Sequence, residues 1–229
     1  MDVAVLIPAH NEANSVAETV LTTLSIPGVS RVVVIDDASQ DDTALLAEKA
    51  GAHVVRMANN AGKGGALEAG AERVSDADIV LLLDADLGAT ARQAALLLTE
   101  VVDGRADMAI AAFPPPRAKA GFGLVKNLAR WGITRWGGDF DATAPLSGQR
   151  ALTQECLAAI RPFSAGYGAE VGLTIRALRA DFRITEVETT MAHAATGRDV
   201  AGFLHRGRQF IDVALALARL ARGTRRGAR

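Results

Sequence analysis

Two aspartates follow the fourth of a series of short apolar runs in this 229-residue chain. Asp84 and Asp86 come directly after the run at residues 79–83, and one residue separates them. Carboxylates at this spacing can point into one cleft, and hard oxygen ligands suit Mg²⁺ or Mn²⁺ that is shared with the phosphates of a substrate. A cation there would offset the charge that builds on a departing diphosphate. The spacing predicts a metal site, with a pair of solvated turn acids as the alternative.

A glycine-rich turn with a lysine follows the third apolar run. Residues 59–65 read NNAGKGG and lead into a helical pattern. Glycines let main-chain N–H groups approach an anion, the start of a helix is electrically positive, and Lys63 adds a charge. The spacing differs from that of a P-loop, and no GxGxxG follows the first run, so a dinucleotide site is not predicted. We expect a phosphate-binding turn; a solvated lysine on a glycine turn is the alternative.

Apolar runs alternate with helical patterns over residues 1–112, and this alternation indicates the strands and helices that would position these residues. Runs that are apolar at every position are typical of parallel strands covered on both faces. The pattern predicts an α/β fold with an open, doubly wound, mostly parallel sheet flanked by helices. The predicted strands are residues 3–7, 32–35, 54–57, 79–83 and 108–112. The predicted helices are residues 13–24, 41–50, 64–74 and 90–102.

Four successive strand ends carry polar residues. A single aspartate at a strand end often only caps a helix, but capping explains four such ends poorly. Because the carboxyl ends of parallel strands meet at one edge of the sheet, we predict that these residues line one cleft. The segments are Pro8-Ala9-His10-Asn11-Glu12, Asp36-Asp37-Ala38-Ser39, the glycine-rich turn and Asp84-Ala85-Asp86.

The second half of the chain departs from the alternation. A triple proline, several glycines and basic side chains within residues 113–140 predict a mobile loop and then a helix over 124–136. The last predicted helix, 199–220, is amphipathic and basic. Its apolar stripe can pack on the domain or on a second subunit, and alternatively the helix can lie on an anionic membrane. The remaining predicted elements are helices over 153–160 and 169–180 and a strand over 183–187.

Composition excludes several classes of protein. Hydrophobic residues make up 49% and charged residues 22% of the chain, which excludes disorder of its bulk. The net charge of −1 provides no basic field for nucleic acid. No run reaches the ~18 apolar residues of a membrane span, the first residues lack the pattern of a signal peptide, and the single Cys156 excludes disulfides. We expect a cytoplasmic protein that binds no nucleic acid.

The polar segments resemble, in order, the signatures of glycosyltransferase family 2. The matching segments are LIPAHNE (6–12), VVVIDDASQDDT (32–43), NNAGKGGAL (59–67) and LLLDADLG (81–88). The resemblance implies a GT-A fold, a nucleotide-diphosphate sugar as donor, and Mg²⁺ or Mn²⁺ as cofactor. It implies a single domain over residues 1–222, with a nucleotide-binding half (1–112), an acceptor half (113–222) and a basic, disordered tail (223–229).

Later segments resemble two branches of that family. LSGQRAL (146–152) is similar to the SGFRAL-type segment of dolichyl- and polyprenyl-phosphate mannose synthases. GYGAEVGL (166–173) and MAHAATGRD (191–199) look more like glucosyl-3-phosphoglycerate synthases. The chain departs from the first branch at Gly88, where a polar residue can help to bind metal, and it lacks the long insertions of the second.

Individual roles also follow from the resemblance. Asp86 is expected to bind the metal with His193, although an ordinary polar histidine is the alternative for the latter. Asp86, Arg150 and Glu170 form the predicted catalytic set; Arg150 would lie near the donor sugar and acceptor, and Glu170 would orient their hydroxyls unless it is a solvated helix acid. The residues expected to hold the nucleotide sugar are Pro8, Ala9, Glu12, Asp37, Lys63, Asp84, Ala85, Ser147 and Gly148.

The resulting functional prediction is a metal-dependent transfer of a hexose, from UDP-glucose or GDP-mannose, to a small anionic acceptor such as a phosphoglycerate-like hydroxy acid. Basic residues between Arg117 and Arg135, and at His205, Arg206 and Arg208, favour an anionic acceptor or a lid over the diphosphate. Three alternatives stay open: a polyprenyl-phosphate glycosyltransferase peripheral to the inner face of the membrane, a sugar nucleotidyltransferase, and a non-catalytic nucleotide-binding module. A homodimer is a further expectation.

Overall fold

Seven strands form one sheet within the residues that the computed structural model describes, which are 1–113, 123–163, 168–192, 214–215 and 217–218. The strands are β1 (Val3–Ala9), β2 (Val29–Asp36), β3 (His53–Arg56), β4 (Ile79–Leu82), β5 (Met108–Ala112), β6 (Arg150–Thr153) and β7 (Ile184–Glu188). Their order in the sheet is β3-β2-β1-β4-β6-β5-β7. All neighbours are parallel except that β6 runs antiparallel to both β4 and β5. The predicted mostly parallel α/β sheet is confirmed.

Helices follow the strands as the sequence pattern predicts, with ends that differ by a few residues. The helices are α1 (Val16–Leu24), α2 (Thr43–Lys49), α3 (Gly62–Ala71), α4 (Ala94–Val102), α5 (Gly123–Gly137), α6 (Gln154–Ile160) and α7 (Ala169–Arg179). The predicted helix 90–102 begins as a 3-10 helix, Gly88–Gln93, before α4. The predicted loop at 114–122 and most of the predicted helix 199–220 lie outside the described residues, as does the tail at 223–229.

The core occupies both faces of the sheet. Alternate residues of β1 enter opposite clusters, with Val5 and Ile7 on the face covered by α1 and α4, and Ala4 and Leu6 on the face covered by α3. Burying one such side chain contributes about 1.5–3 kcal/mol to folding. Burial on both faces is the physical reason why the strand sequences are apolar at successive positions.

β6 was not predicted from the sequence. It is four residues long, starts with an arginine and runs directly into α6, whose first turn is capped by the side chain of Thr153. Leu82 of β4 pairs with Arg150 of β6. Because β6 is antiparallel, its beginning lies at the edge where β4 ends, and the residues just before it reach the predicted cleft.

A third apolar cluster joins α5 and α7 to the terminal segment. The described residues 214–215 and 217–218 are helical, and Leu217 is 3% exposed. Leu217 packs so closely on Gly132 of α5 that a Cβ at Gly132 would overlap it. At this position the apolar stripe of the predicted terminal helix packs on the domain. Within the described ranges, no helix is both long and apolar enough to cross a membrane.

Candidate active site

Asp37 ties the glycine-rich turn to the end of β2. Its two carboxylate oxygens accept hydrogen bonds from the main-chain N–H groups of Ala61 and Gly62, at 2.7 and 2.8 Å. Gly62 begins α3 at φ +72°, a left-handed conformation that favours glycine. The main-chain N–H of Asp37 donates to the carbonyl of Ala9 at 2.8 Å. Asp37 therefore shapes the predicted phosphate turn, and its contact with a nucleoside stays a prediction.

Lys63 lies between two carboxylates at this edge of the sheet. Its Nζ is 2.6 Å from Oδ1 of Asp84 and 3.0 Å from Oε1 of Glu170. Burial alone would lower the pKa of Lys63, but the charges of Asp84 and Glu170 outweigh it and raise the pKa above the ordinary value of 10.5. The lysine therefore stays protonated and joins the end of β4 to the first turn of α7. Glu170 is not a solvated helix acid, because its side chain is only 8% exposed.

Gly148 makes room for this cluster. A Cβ at Gly148 would overlap Nζ of Lys63 and lie 3.4 Å from both carboxylate oxygens of Asp84. A larger residue at this position would force the lysine to move from the place where it meets its two partners. Ser147, the preceding residue, is buried, and its Oγ has no hydrogen-bond partner among the described residues.

Gln149 is a site residue that the sequence did not reveal. It is fully buried, and its side-chain amide makes two hydrogen bonds to Asp84. Oε1 accepts the main-chain N–H of Asp84 at 3.0 Å, and Nε2 donates to Oδ2 of Asp84 at 2.7 Å. The two residues are 65 positions apart and meet only because β6 lies beside β4. Prediction of β6 from LSGQRAL would have been the signal that places Gln149 there.

Arg150 lies behind the site, which corrects the expectation that it approaches the donor sugar and acceptor. It has no exposed surface. Its guanidinium donates to the carbonyls of Ser147 and Glu170, at 3.1 and 2.9 Å, and to Oγ1 of Thr174 at 3.0 Å. Burial lowers the pKa of Arg150 to about 10, partly offset by the charge of Glu170. As the first residue of a central strand, Arg150 points into the protein and holds the start of α7.

Asp86, two residues after Asp84, lines a cavity of about 310 Å³. The main chain around it is held by Thr19 of α1, a fully buried residue that the sequence also did not reveal. Oγ1 of Thr19 donates to the carbonyl of Ala85 at 2.8 Å and accepts the N–H of Gly88 at 2.9 Å. Other residues that line the cavity are Asn14, Ser15, Glu18, Leu87, Gly88, Ala89 and Ala192.

Gly88, where the chain departs from the mannose-synthase pattern, has a structural reason to be glycine. Its φ is +50°, and a Cβ there would lie 2.7 Å from Oε2 of Glu18. Glu18 lines the same cavity, and its side chain occupies the space that a side chain at residue 88 would need. Residue 88 is the position at which mannose synthases can have a polar residue.

Glu12 shares the electrostatic environment of the two aspartates. Its Oε2 accepts a hydrogen bond from Oγ of Ser15 at 2.9 Å. Burial raises the pKa of Glu12, and the negative charges of Asp86 and Asp84 raise it further. A positive charge bound near these carboxylates would reverse that effect.

The remaining predicted nucleotide-binding residues lie at the same edge of the sheet. Pro8 is half-buried as the last but one residue of β1, and Ala9 ends the strand. Ala85, between the two aspartates, is 3% exposed, and its contact with a ligand stays a prediction.

The residues present fit a divalent cation in part. No group of three or more His, Cys, Asp or Glu side chains within the described ranges is arranged to hold a metal ion. Asp86 supplies the carboxylate oxygens that Mg²⁺ and Mn²⁺ prefer. Ala192 lines the same cavity and exchanges two hydrogen bonds of 3.2 Å with Oγ1 of Thr90. The expected second ligand, His193, follows Ala192 and lies outside the described residues.

The chain matches the model of Glycosyl transferase family 2 over residues 4–145. It belongs to glycosyltransferase family 2. Members of the family and their homologues are nucleotide-sugar hexosyltransferases. The resemblance predicted from the polar segments is confirmed.

Two curated relatives of this family 2 chain differ in what their names describe. Glycosyltransferase AglJ of Haloferax volcanii is 33% identical over 205 residues, covering 86% of the chain and 65% of the relative. Undecaprenyl-phosphate mannosyltransferase of Micrococcus luteus is 29% identical over 219 residues, covering 86% of both. The chain thus spans about 65% of the length of the first relative and most of the second.

Solved structures similar to this family 2 chain include complexes of glucosyl-3-phosphoglycerate synthase from Mycobacterium tuberculosis. The complex with Mg²⁺ and UDP is 25% identical with a TM-score of 0.78, and the match covers 96% of this chain and 79% of that one. The complex with Mn²⁺, UDP-glucose and phosphoglyceric acid is 26% identical with a TM-score of 0.73, covering 95% and 80%. These likenesses confirm the GT-A fold and support the use of divalent metal in the family.

Proposed function

We propose that the chain is a metal-dependent transferase that moves a hexose from a nucleotide-diphosphate sugar to a small anionic acceptor such as a phosphoglycerate-like hydroxy acid. The observation that carries this proposal is the pairing of Lys63 with Asp84 and Glu170, because Asp84 lies on the same loop as Asp86, which lines a cavity. The cluster lies at the carboxyl edge of the sheet, where open α/β folds bind ligands. UDP-glucose and GDP-mannose are the proposed donors.

In the proposed reaction, the acceptor hydroxyl oxygen attacks the anomeric carbon, the bond from that carbon to the diphosphate breaks, and the hydroxyl proton is released to water. Asp86 and His193 would hold the cation, which when bound offsets the negative charge on the departing diphosphate. Lys63 is already paired with two carboxylates, so its role is to orient Asp84 and Glu170 rather than to neutralise the diphosphate. Glu170, at the start of α7, then accepts a hydrogen bond from a hydroxyl of the sugar or acceptor.

Calorimetry and a transfer assay test this function. UDP and GDP are titrated with and without Mn²⁺, and UDP-glucose and GDP-mannose are then incubated with 3-phosphoglycerate. We expect nucleotide binding that requires Mn²⁺ and a product in which the hexose is joined to the acceptor. Binding that is independent of metal, with no transfer to any acceptor, would identify a non-catalytic nucleotide-binding module. Release of pyrophosphate from a nucleoside triphosphate and a sugar phosphate would identify a nucleotidyltransferase.

A second candidate function is transfer to a polyprenyl phosphate at the inner face of the membrane. It is favoured by the likeness to the undecaprenyl-phosphate mannosyltransferase, which extends over 86% of both chains. Co-sedimentation with anionic vesicles at low salt, and a transfer assay with undecaprenyl phosphate in detergent, separate the two functions. Binding to vesicles together with a lipid-linked product would favour the second function. If the chain neither binds vesicles nor forms a lipid-linked product, and transfers the hexose to the soluble acceptor, the first function is favoured.

A further inference from the structure

We propose that Gln149 is a positioning residue for donor binding, which fixes the carboxylate of Asp84 in the orientation that receives the nucleotide sugar. This inference rests on the proposed function and adds a residue to its site. Gln149 itself is fully buried and acts through Asp84.

The contacts of Asp84 show how its orientation is fixed. Lys63 Nζ holds Oδ1 at 2.6 Å, and Nε2 of Gln149 holds Oδ2 at 2.7 Å. Two donors on different oxygens restrict the rotation of a carboxylate more than either donor does alone. Oε1 of Gln149 also accepts the main-chain N–H of Asp84 at 3.0 Å. The same amide therefore fixes both the main chain and the side chain of this residue.

Glutamine is chemically well suited to this position. Its amide offers one donor and one acceptor, which match the carboxylate and the N–H of Asp84. A glutamate in its place would bring a second negative charge against Asp84. An apolar side chain would remove both partners, and a buried polar group without a partner is costly.

The arrangement is a feature of this chain's own sequence. The SGFRAL-type segment that LSGQRAL resembles has phenylalanine where this chain has Gln149. A phenylalanine has no group that could hold Asp84. The antiparallel register, in which Leu82 pairs with Arg150, brings residue 149 beside the end of β4, so that a glutamine there reaches the aspartate.

Neighbouring residues of the same segment serve the same cluster in other ways. Gly148 leaves space for Lys63, and Arg150 donates to the carbonyl of Glu170 at 2.9 Å. Residues 148–150 thus each contact a different charged residue of the cluster. Gln149 is the one that contacts Asp84.

A double-mutant cycle tests whether Gln149 acts through Asp84. Gln149→Met keeps the approximate shape and removes both hydrogen bonds, whereas Asp84→Ala removes the group that is positioned. The dissociation constants of UDP and GDP with Mn²⁺ are measured by calorimetry for the unmodified chain, both single variants and the double variant. We expect Gln149→Met to weaken nucleotide binding by about tenfold. In the Asp84→Ala background the same change should have an effect below about twofold, because no carboxylate remains to be oriented.

Kinetics and a matched control separate positioning from a structural role. Gln149→Met is expected to raise the KM for the nucleotide sugar and to leave the KM for the acceptor unchanged. Gln154→Met is the control, because Oε1 of Gln154 has no hydrogen-bond partner among the described residues, and it should change neither KM. Gln149→Glu, which keeps the acceptor but loses the donor, provides a second variant if Gln149→Met does not fold, and it should also weaken nucleotide binding.

Three results would overturn the inference. If a folded Gln149→Met variant binds UDP or GDP as tightly as the unmodified chain, the inference about Gln149 is wrong and the proposed function is unaffected. If Gln149→Met weakens nucleotide binding equally in the unmodified chain and in the Asp84→Ala variant, Gln149 does not act through Asp84. Failure of the unmodified chain to bind either nucleotide overturns the proposed function, and this inference with it.

Discussion

The space that a side chain would need at Gly148 is taken by the ammonium group of Lys63. This contact makes the smallest substitution at residue 148 a probe of the charged cluster. In a Gly148→Ala variant Nζ of Lys63 must shift from its observed position, which disturbs its contacts with Asp84 and Glu170. We expect kcat/KM for the nucleotide sugar to fall by about tenfold, because the shifted lysine no longer holds Asp84 and Glu170 in their observed positions.

Gly123→Ala is the matched control for that variant. A Cβ at Gly123, in the first turn of α5, meets no atom within 4 Å. The control should therefore keep the kcat/KM of the unmodified chain. Equal activity of the two alanine variants would show that Lys63 is not needed between its carboxylates.

Thr19 and Thr23 provide a matched pair on α1. Both are fully buried, but only the hydroxyl of Thr19 reaches the segment that carries Asp86, through Ala85 and Gly88. The hydroxyl of Thr23 bonds within the helix, to the carbonyl of Thr19 at 2.7 Å. We expect Thr19→Val to weaken binding of Mn²⁺ and nucleotide by about five- to tenfold in calorimetry, and Thr23→Val to change it little. Similar affinities for the two variants would show that this anchor does not shape the site.

Asp86 should be required for transfer and dispensable for folding. It lies on the loop after β4 and lines the cavity instead of packing in the core. We expect Asp86→Ala to lose at least about 100-fold in turnover, because its carboxylate is the proposed ligand of the cation, and to unfold at nearly the same temperature. Asp103→Ala, an exposed change at the end of α4, is the control. Near-normal turnover of Asp86→Ala with Mn²⁺ present would contradict the metal role.

Glu12 should make stability fall as pH rises. Its pKa in the folded chain lies above the ordinary 4.5, chiefly because of burial, with the charges of Asp86 and Asp84 adding to it. Between the ordinary and the raised value the folded chain binds more protons than the unfolded chain, so stability decreases with increasing pH in that interval and the loss persists above it. Without divalent cation, Glu12→Gln should therefore melt at a higher temperature than the unmodified chain near pH 7.

That difference should shrink as the pH falls below about 4.5, where Glu12 is protonated in both states. Melting curves over this range provide the measurement. Glu155→Gln, an exposed change on α6, should not reproduce the pattern. A Glu12→Gln variant that is less stable than the unmodified chain near pH 7 would show that Glu12 gains more from its contacts than it loses by burial.

Arg150 should contribute to folding rather than contact substrate. Arg150→Met would remove the donor to the buried carbonyl of Ser147 and one of the donors to the carbonyl of Glu170, which keeps its hydrogen bond from Thr174. We expect the free energy of unfolding, measured with urea, to fall by about 3 kcal/mol. Arg56→Met, which removes an exposed ion pair with Glu48, should cost less than about 1 kcal/mol. Equal stability of the two variants would contradict this assignment.

Local sequence patterns predicted the first half of the fold well. The strand at residues 108–112 has the predicted bounds, and the polar ends of β1, β2 and β4 meet at one edge of the sheet as expected. These features follow from hydrophobic runs and from the rule that parallel strands share a carboxyl edge, both of which can be recognised without tertiary contacts.

Contacts between distant segments were harder to predict. Lys63, Asp84 and Glu170 were each expected in the site, but their mutual pairing depends on α7, which is about 100 residues beyond Lys63. Gln149 was missed because a glutamine before a short strand has no distinguishing pattern. Arg150 was expected near the donor sugar and acceptor from the family resemblance, and the alternation of side chains along β6 directs it into the protein instead.

The position of β6 has a consequence for how such a domain can be divided. β4 and β5 do not pair with each other; β6 fills the gap between them. A fragment that ended after β5 would expose the hydrogen-bonding groups of β4 along a strand whose four residues are all buried in the full chain. Unprotected apolar edges promote aggregation. The first 112 residues, which the sequence predicts to be the nucleotide-binding half, are therefore not expected to fold as an independent module.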